Sequence, residues 1–190
     1  MSLRGKDSTG GEHASRPVFL IGFMAAGKTT LGQAVAAMSG RPFADTDRLV
    51  ENLAGMSIPQ IFAEHGEEEF RRLETRVLET IASRDDAPVV ACGGGLPCRR
   101  ENLDIMLGCG TVVWLQAPED ILVRRLLMAP GTRPLVDGKS ETELAAYVSE
   151  TARRRTPSYS QADARFDSSR LETAEEIRQS ATSFITQFLN

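Results

Sequence analysis

From residue 17 to the C-terminus, short unbroken apolar runs alternate with longer amphipathic stretches, and each pattern predicts its own kind of element. The runs 17–21, 88–92 and 110–115 are almost wholly apolar, as strands buried on both faces require. Two weaker runs, 41–44 and 164–167, complete a set of five strands. Between them, apolar residues recur at helical spacing: Leu31, Val35 and Met38 ahead of Gly40; Leu49, Val50 and Leu53; Ile58, Ile61 and Phe62. Gly66 interrupts the last of these, and Phe70, Leu73, Val77, Leu78 and Ile81 define a longer helix to residue 83. Further helices are expected over 102–107, 118–128, 141–155 and 174–189. Strands alternating with helices imply an α/β fold, a three-layer sandwich around a five-stranded parallel sheet.

The stretch between the first strand and first helix changes this from architecture to chemistry. Gly22-Phe23-Met24-Ala25-Ala26-Gly27-Lys28-Thr29 has two glycines and a following Lys-Thr at the spacing of a phosphate-binding loop, in the strand–loop–helix context that gives the pattern meaning. Such a loop aims backbone N–H groups and the positive end of a helix dipole at one anion. Lys28 is then expected to reach the outer phosphates, and Thr29 to ligate Mg²⁺. Ala25 stands where such loops often carry glycine.

Ligands in open parallel sheets collect beyond the carboxyl ends of the strands, where Asp45-Thr46-Asp47 follows the second strand. One acid can cap the next helix, which leaves the other for function. The third strand ends without an acid, so a metal-holding carboxylate is expected from Asp45 or Asp47. It runs instead into Gly93-Gly94-Gly95, a triplet whose entropic cost makes sense where backbone must approach a ligand or another segment closely. Arg71 and Glu74 share one helix face, either as a solvated pair or as part of a site. The stretch 129–135 is too rich in Pro and Gly for helix and carries Arg133 at its centre, so a mobile lid is expected near 129–140. Arg153, Arg154 and Arg155 are expected to close a helix at its negative end.

Composition narrows the partners. The 190 residues, 41% of them hydrophobic, suit one domain over 17–190, preceded by a disordered tail, 1–16, too polar to bury itself. With 26 acidic against 22 basic residues and a net charge of −4, a nucleic-acid surface is disfavoured. No stretch approaches a membrane span. Cys92, Cys98 and Cys109 leave an odd thiol, which favours a reducing compartment, the cytoplasm.

Taken together, the motifs resemble the shikimate kinases, members of the nucleoside-monophosphate-kinase-like group of phosphate-loop folds. The most specific stretch is 58–74, with its Gly66-Glu67 and Phe70-Arg71 elements, and Asp45-Thr46-Asp47, the glycine triplet and Arg133-Pro134-Leu135 match in order. The resemblance implies transfer of the γ-phosphate of ATP to the 3-hydroxyl of shikimate, a step toward chorismate and the aromatic amino acids. It implies an ATP site at Gly22, Ala25, Ala26, Gly27, Lys28, Thr29 and Thr30, with Mg²⁺ at Thr29 and Asp45. Asp47 matches the acid that meets the substrate hydroxyls and is the expected base, with Lys28 and Arg133 as the charged groups of transfer. Arg71, oriented by Glu74, matches the arginine that grips the carboxylate; Gly93, Gly94 and Gly95 would lie against the ring, and Phe62 and Phe70 would wall the pocket. A second substrate arginine is Arg155, counting back from Tyr159, or Arg154, counting back from Ala162. Arg170 is an adenine-side candidate by position. The expected partners are ATP and shikimate alone, with no nucleic acid or membrane, and the expected state is a monomer. Gluconate kinase and a nucleotide-responsive regulatory module are the alternatives.

Overall fold

The computed structural model describes residues 16–128 and 138–189. Five strands, β1 Val18–Ile21, β2 Phe43–Asp45, β3 Val89–Ala91, β4 Thr111–Gln116 and β5 Ala164–Asp167, form one sheet in the order β2-β3-β1-β4-β5. Every neighbouring pair is parallel. Alternation along β1 splits the core: Val18 and Leu20 face one layer with Leu31, Val35, Val113 and Phe184, while Phe19 and Ile21 face the other with Val50, Ile61, Val77 and Leu103. Each such side chain contributes about 1.5–3 kcal/mol on burial, so both faces of the sheet are held.

The register decides where function can sit. Ala91 pairs with Leu20 of β1 and with Asp45 of β2, so three neighbouring strands end side by side. The glycine loop, the Asp45-Thr46-Asp47 stretch and the glycine triplet therefore leave the sheet at one edge.

The helices are α1 Lys28–Ser39, α2 Thr46–Ala54, α3 Ile58–Ala82, α4 Arg100–Cys109, α5 Glu119–Leu127, α6 Glu141–Tyr159 and α7 Ala174–Phe188, with a 3-10 turn at Leu96–Cys98 that periodicity does not announce. α1 ends at Gly40 in the left-handed conformation, as expected. It buries Leu31, Gly32, Val35 and Ala36, whereas Met38, expected on the apolar face, is exposed. Gly66 sits within α3 at φ 81° and ψ 177°, which breaks the helix where the sequence breaks. Ser57 opens α3, its backbone N–H donating to the Gln60 side chain at 2.9 Å.

Two expectations need correcting. Arg153 to Arg155 do not close α6, because the helix continues through Pro157 to Tyr159. The buried Tyr159 ring, packed with the α3 layer while Leu144 and Val148 pack with the α1 layer, carries α6 past the proline across the carboxyl edge of the sheet. Arg16 is not part of a loose tail: its guanidinium donates to the carbonyls of Gly108 at 2.7 Å and Cys109 at 3.3 Å. Residues 1–15 of the expected tail and 129–137 of the expected lid, Arg133 included, lie outside the described residues. Ser140 caps α6 by accepting from the Glu143 N–H at 3.3 Å.

Candidate active site

A cleft of about 430 Å³ opens at this edge, lined by Lys28, Thr29, Thr30, Asp45, Asp47, Gly93 and Gly94 on the strand ends and by Ala25, Arg125, Met128, Leu171 and Glu172 beyond the loop. Gly27 caps α1 at φ 89°, and its carbonyl takes the first helical hydrogen bond, from Leu31 N–H at 2.8 Å. Gly22 and Ala26 shape the loop from behind: Gly22 is at φ 141°, and Ala26 is buried in the core. Lys28 Nζ donates to the carbonyls of Gly22 at 3.0 Å and Phe23 at 2.8 Å, which holds the ammonium across the loop. Ala25 sits at φ 62°, a region that costs an L-residue about 1–2 kcal/mol.

Asp45 has two functions, divided between its oxygens. Oδ1 caps α2, accepting from the N–H groups of Asp47 and Arg48, while Oδ2 accepts from Thr29 Oγ1 at 3.0 Å. The hydroxyl and carboxylate expected to hold Mg²⁺ therefore converge beside the phosphate loop, and both are hard oxygen donors of the kind that cation takes. Thr46, fully buried, accepts from Gly93 N–H at 2.8 Å and so ties the second strand's exit to the third's.

The glycine triplet is matched residue for residue by charged side chains. A Cβ at Gly93 would lie 2.5 Å from Asp47 Oδ1; at Gly94, 2.9 Å from Arg155 Nη1; at Gly95, 3.1 Å from Arg71 Nη1. Side chains from α2, α6 and α3 thus close on three successive residues, and a side chain at any of the three would press on one of them. This also separates the two arginines left open by counting: Arg155 lies against the triplet, whereas Arg154 turns back to Thr151 Oγ1 at 3.4 Å.

Arg71 and Glu74 are not a solvated pair. Glu74 is 2% exposed and accepts from Arg71 Nη1 at 2.8 Å, while Glu67 holds Nε and Nη2 at 3.2 and 2.9 Å. Burial raises the Glu74 pKa above the usual carboxylate range, and the bond from Arg71 opposes that shift. Burial likewise raises Asp47, with the Asp45 charge adding to it and Lys28 and Arg71 pulling back. Phe70 lies under the Arg71 guanidinium, 5.2 Å from its carbon, and Phe62, 40% exposed, meets Phe70 at a centroid distance of 4.8 Å.

Two residues outside the sequence expectation enter here. Arg125 donates to the carbonyls of Ala25 at 3.2 Å and of Ser168 and Ser169 at 3.0 Å each, and pairs with Glu172 at 3.0 Å. Glu172 is held down at about 2, first by the hydrogen bond from Arg125. The sequence signal was a cation beside the buried Leu122 and Leu126 of α5. Tyr159, four residues after Arg155, is the other, and its signal is the one-turn spacing on α6. Arg170 lies outside the cleft, 71% exposed and 3.5 Å from Glu176. Trp114 packs on Tyr159 at a centroid distance of 5.7 Å.

The family model described as shikimate kinase matches residues 24–186. The chain belongs to the shikimate kinase family. It is 38% identical over 160 residues to the shikimate kinase of Parabacteroides distasonis, covering 84% of this chain and 92% of the relative. To that of Synechococcus sp. strain JA-3-3Ab it is 47% identical over 148 residues, 78% of this chain and 76% of the relative. The crystal structure of shikimate kinase from Bacteroides thetaiotaomicron superposes with a TM-score of 0.86 at 35% identity, covering 90% of this chain and 97% of that one. A gluconokinase from Sinorhizobium meliloti, at 19% identity and a TM-score of 0.55, shares the fold alone. As a shikimate kinase family member the chain is an ATP-dependent kinase, and that reading is favoured over gluconate kinase and over a regulatory module. No helix among the described residues is long and apolar enough to cross a membrane.

Proposed function

We propose that this chain moves the γ-phosphate of ATP onto the 3-hydroxyl of shikimate, with the phosphate loop as donor half and the glycine triplet with its three charged partners as acceptor half. The observation that carries the reading is the pairing of Asp47, Arg155 and Arg71 with Gly93, Gly94 and Gly95 beside the phosphate-loop cleft. Shikimate offers one carboxylate and neighbouring hydroxyls. Two guanidiniums and one carboxylate on an open glycine floor complement both.

In the reaction, the 3-hydroxyl oxygen attacks the γ-phosphorus, its proton passes to an Asp47 carboxylate oxygen, and the bond to the β-phosphate oxygen breaks to leave ADP. General-base assistance of this kind contributes about 10²–10⁴-fold. Arg71 and Arg155 hold the acceptor carboxylate, which fixes the hydroxyl for in-line attack. Glu74 and Glu67 fix the Arg71 guanidinium between them. Lys28, the loop N–H groups and Arg133 neutralise the transferring charge. Thr29 and Asp45 would hold Mg²⁺, which when bound spreads the negative charge of the β- and γ-phosphates. Arg125 fixes the loop from its far side through Ala25.

The proposed acting state is a monomer, which the mass of the purified protein in solution tests. A cytoplasmic location suits the supply of ATP and the free thiols of Cys92, Cys98 and Cys109. The test is ADP release by purified protein with ATP and Mg²⁺. Shikimate should start it and gluconate should not, and phosphorus NMR should find a shikimate 3-phosphate. A response to gluconate alone would overturn the reading.

A further inference from the structure

The glycine triplet needs something to hold it. Gly94 and Gly95 are only half-buried, and among the described residues neither N–H donates a hydrogen bond to the protein. Unpaired N–H groups beside two guanidiniums form an anion cradle only if their peptides keep one orientation. The Gly94 carbonyl is the one polar group of this pair of residues that a side chain holds: Tyr159 Oη donates to it at 2.6 Å.

We infer that Tyr159 is a positioning residue of the acceptor half, its hydroxyl fixing the Gly94–Gly95 peptide so that the Gly95 N–H, turned away from Tyr159, is held toward the acceptor. The peptide is planar and trans, so a carbonyl turned toward Tyr159 turns the Gly95 N–H the opposite way. Tyr159 is itself well packed: it is 2% exposed, and its ring packs on Trp114. Burial pushes its pKa up to about 12, so the hydroxyl stays a donor throughout the neutral range. Arg155 lies one helical turn earlier on α6, and its Nη1 and the Tyr159 oxygen both come near the place a Gly94 Cβ would occupy, at 2.9 and 3.7 Å. One face of one helix thus delivers both the cation and the group that orients the backbone beside it. Tyr159 touches neither reacting atom, and its effect passes through Gly94.

This inference rests on shikimate as the acceptor, and Tyr159→Phe separates the two. Phe keeps the ring and removes only the hydroxyl. The expected result is a rise in shikimate KM of about five-fold, the size of one hydrogen bond's net worth, with ATP KM and kcat each within about two-fold of wild type. A purely structural role would lower the melting temperature and leave the two KM values unchanged or moved together, and that overturns the inference while wild-type turnover of shikimate leaves the activity standing. Wild-type protein without shikimate-dependent ADP release would instead remove the activity. Amide NMR of isotope-labelled protein gives a second reading of the peptide itself. The Gly95 resonance should move when shikimate is added to wild type and should need about five-fold more shikimate in Tyr159→Phe. A Gly95 amide that shikimate leaves unmoved overturns the inference.

Discussion

The two halves of the proposed site are built in opposite ways. The donor half is nearly continuous in sequence: a strand, eight residues from Gly22 to Thr29, and the first turn of α1, with backbone groups as the recognition surface. The acceptor half is assembled from a distance: Asp47 from α2, Arg71 and Glu74 from α3, and Arg155 and Tyr159 from α6 meet on a floor supplied by β3. Backbone recognition suits a ligand whose charge is spread over identical phosphate oxygens. Side-chain recognition suits one that must be told apart from other hydroxy acids. Asp45 joins the halves, one oxygen on Thr29 and the other capping the helix that carries Asp47.

This contrast predicts which substitutions act on which substrate. Asp47→Asn, which keeps the shape and removes the proposed base, should lower kcat by about 10²-fold or more in an ADP-release assay; normal turnover would remove Asp47 from the proton's path. Arg71→Ala should act on the acceptor side alone, raising shikimate KM by about 10-fold or more with ATP KM unmoved. It should also cost about 1–3 kcal/mol in urea unfolding, because buried Glu74 loses its partner. Next is the pH profile. The base works ionised, and burial beside Asp45 raises its pKa, so activity should fall as pH drops through a midpoint above the ordinary aspartate value of about 3.9. An acid limb at or below that value would mean that Asp47 is not the titrating group. The smallest effect is expected on the donor side. Ala25→Gly relieves a left-handed alanine and should raise stability by up to about 1 kcal/mol, with shikimate KM in place.

The same contrast explains what the sequence made legible. The donor half could be read from eight consecutive residues because its geometry is local, and the sheet could be read from apolar runs because all three central strands are buried on both sides. The acceptor half was legible in its members but not in its pairing. Arg154 and Arg155 are adjacent, and only the path of α6 across the sheet turns one to Gly94 and the other back to Thr151. That path was hidden because Pro157 argues for an earlier helix end, and the buried Tyr159 ring outweighs it. Position in sequence favoured Arg170 for the nucleotide side, yet it pairs with Glu176 away from the cleft. The residue facing the loop is Arg125, whose partners, Ala25, Ser168 and Glu172, lie far from it along the chain.

The central claim is that acceptor recognition rests on the carboxylate held over the glycine triplet. It is tested most directly by the ratio of kcat/KM for shikimate to that for its methyl ester, measured in wild type and in Arg71→Ala. A ratio of about 10 or more is expected in wild type, falling toward one in the variant, since a charge-assisted pair is lost in both cases. Equal use of acid and ester by wild type, or the same ratio in both proteins, would contradict it.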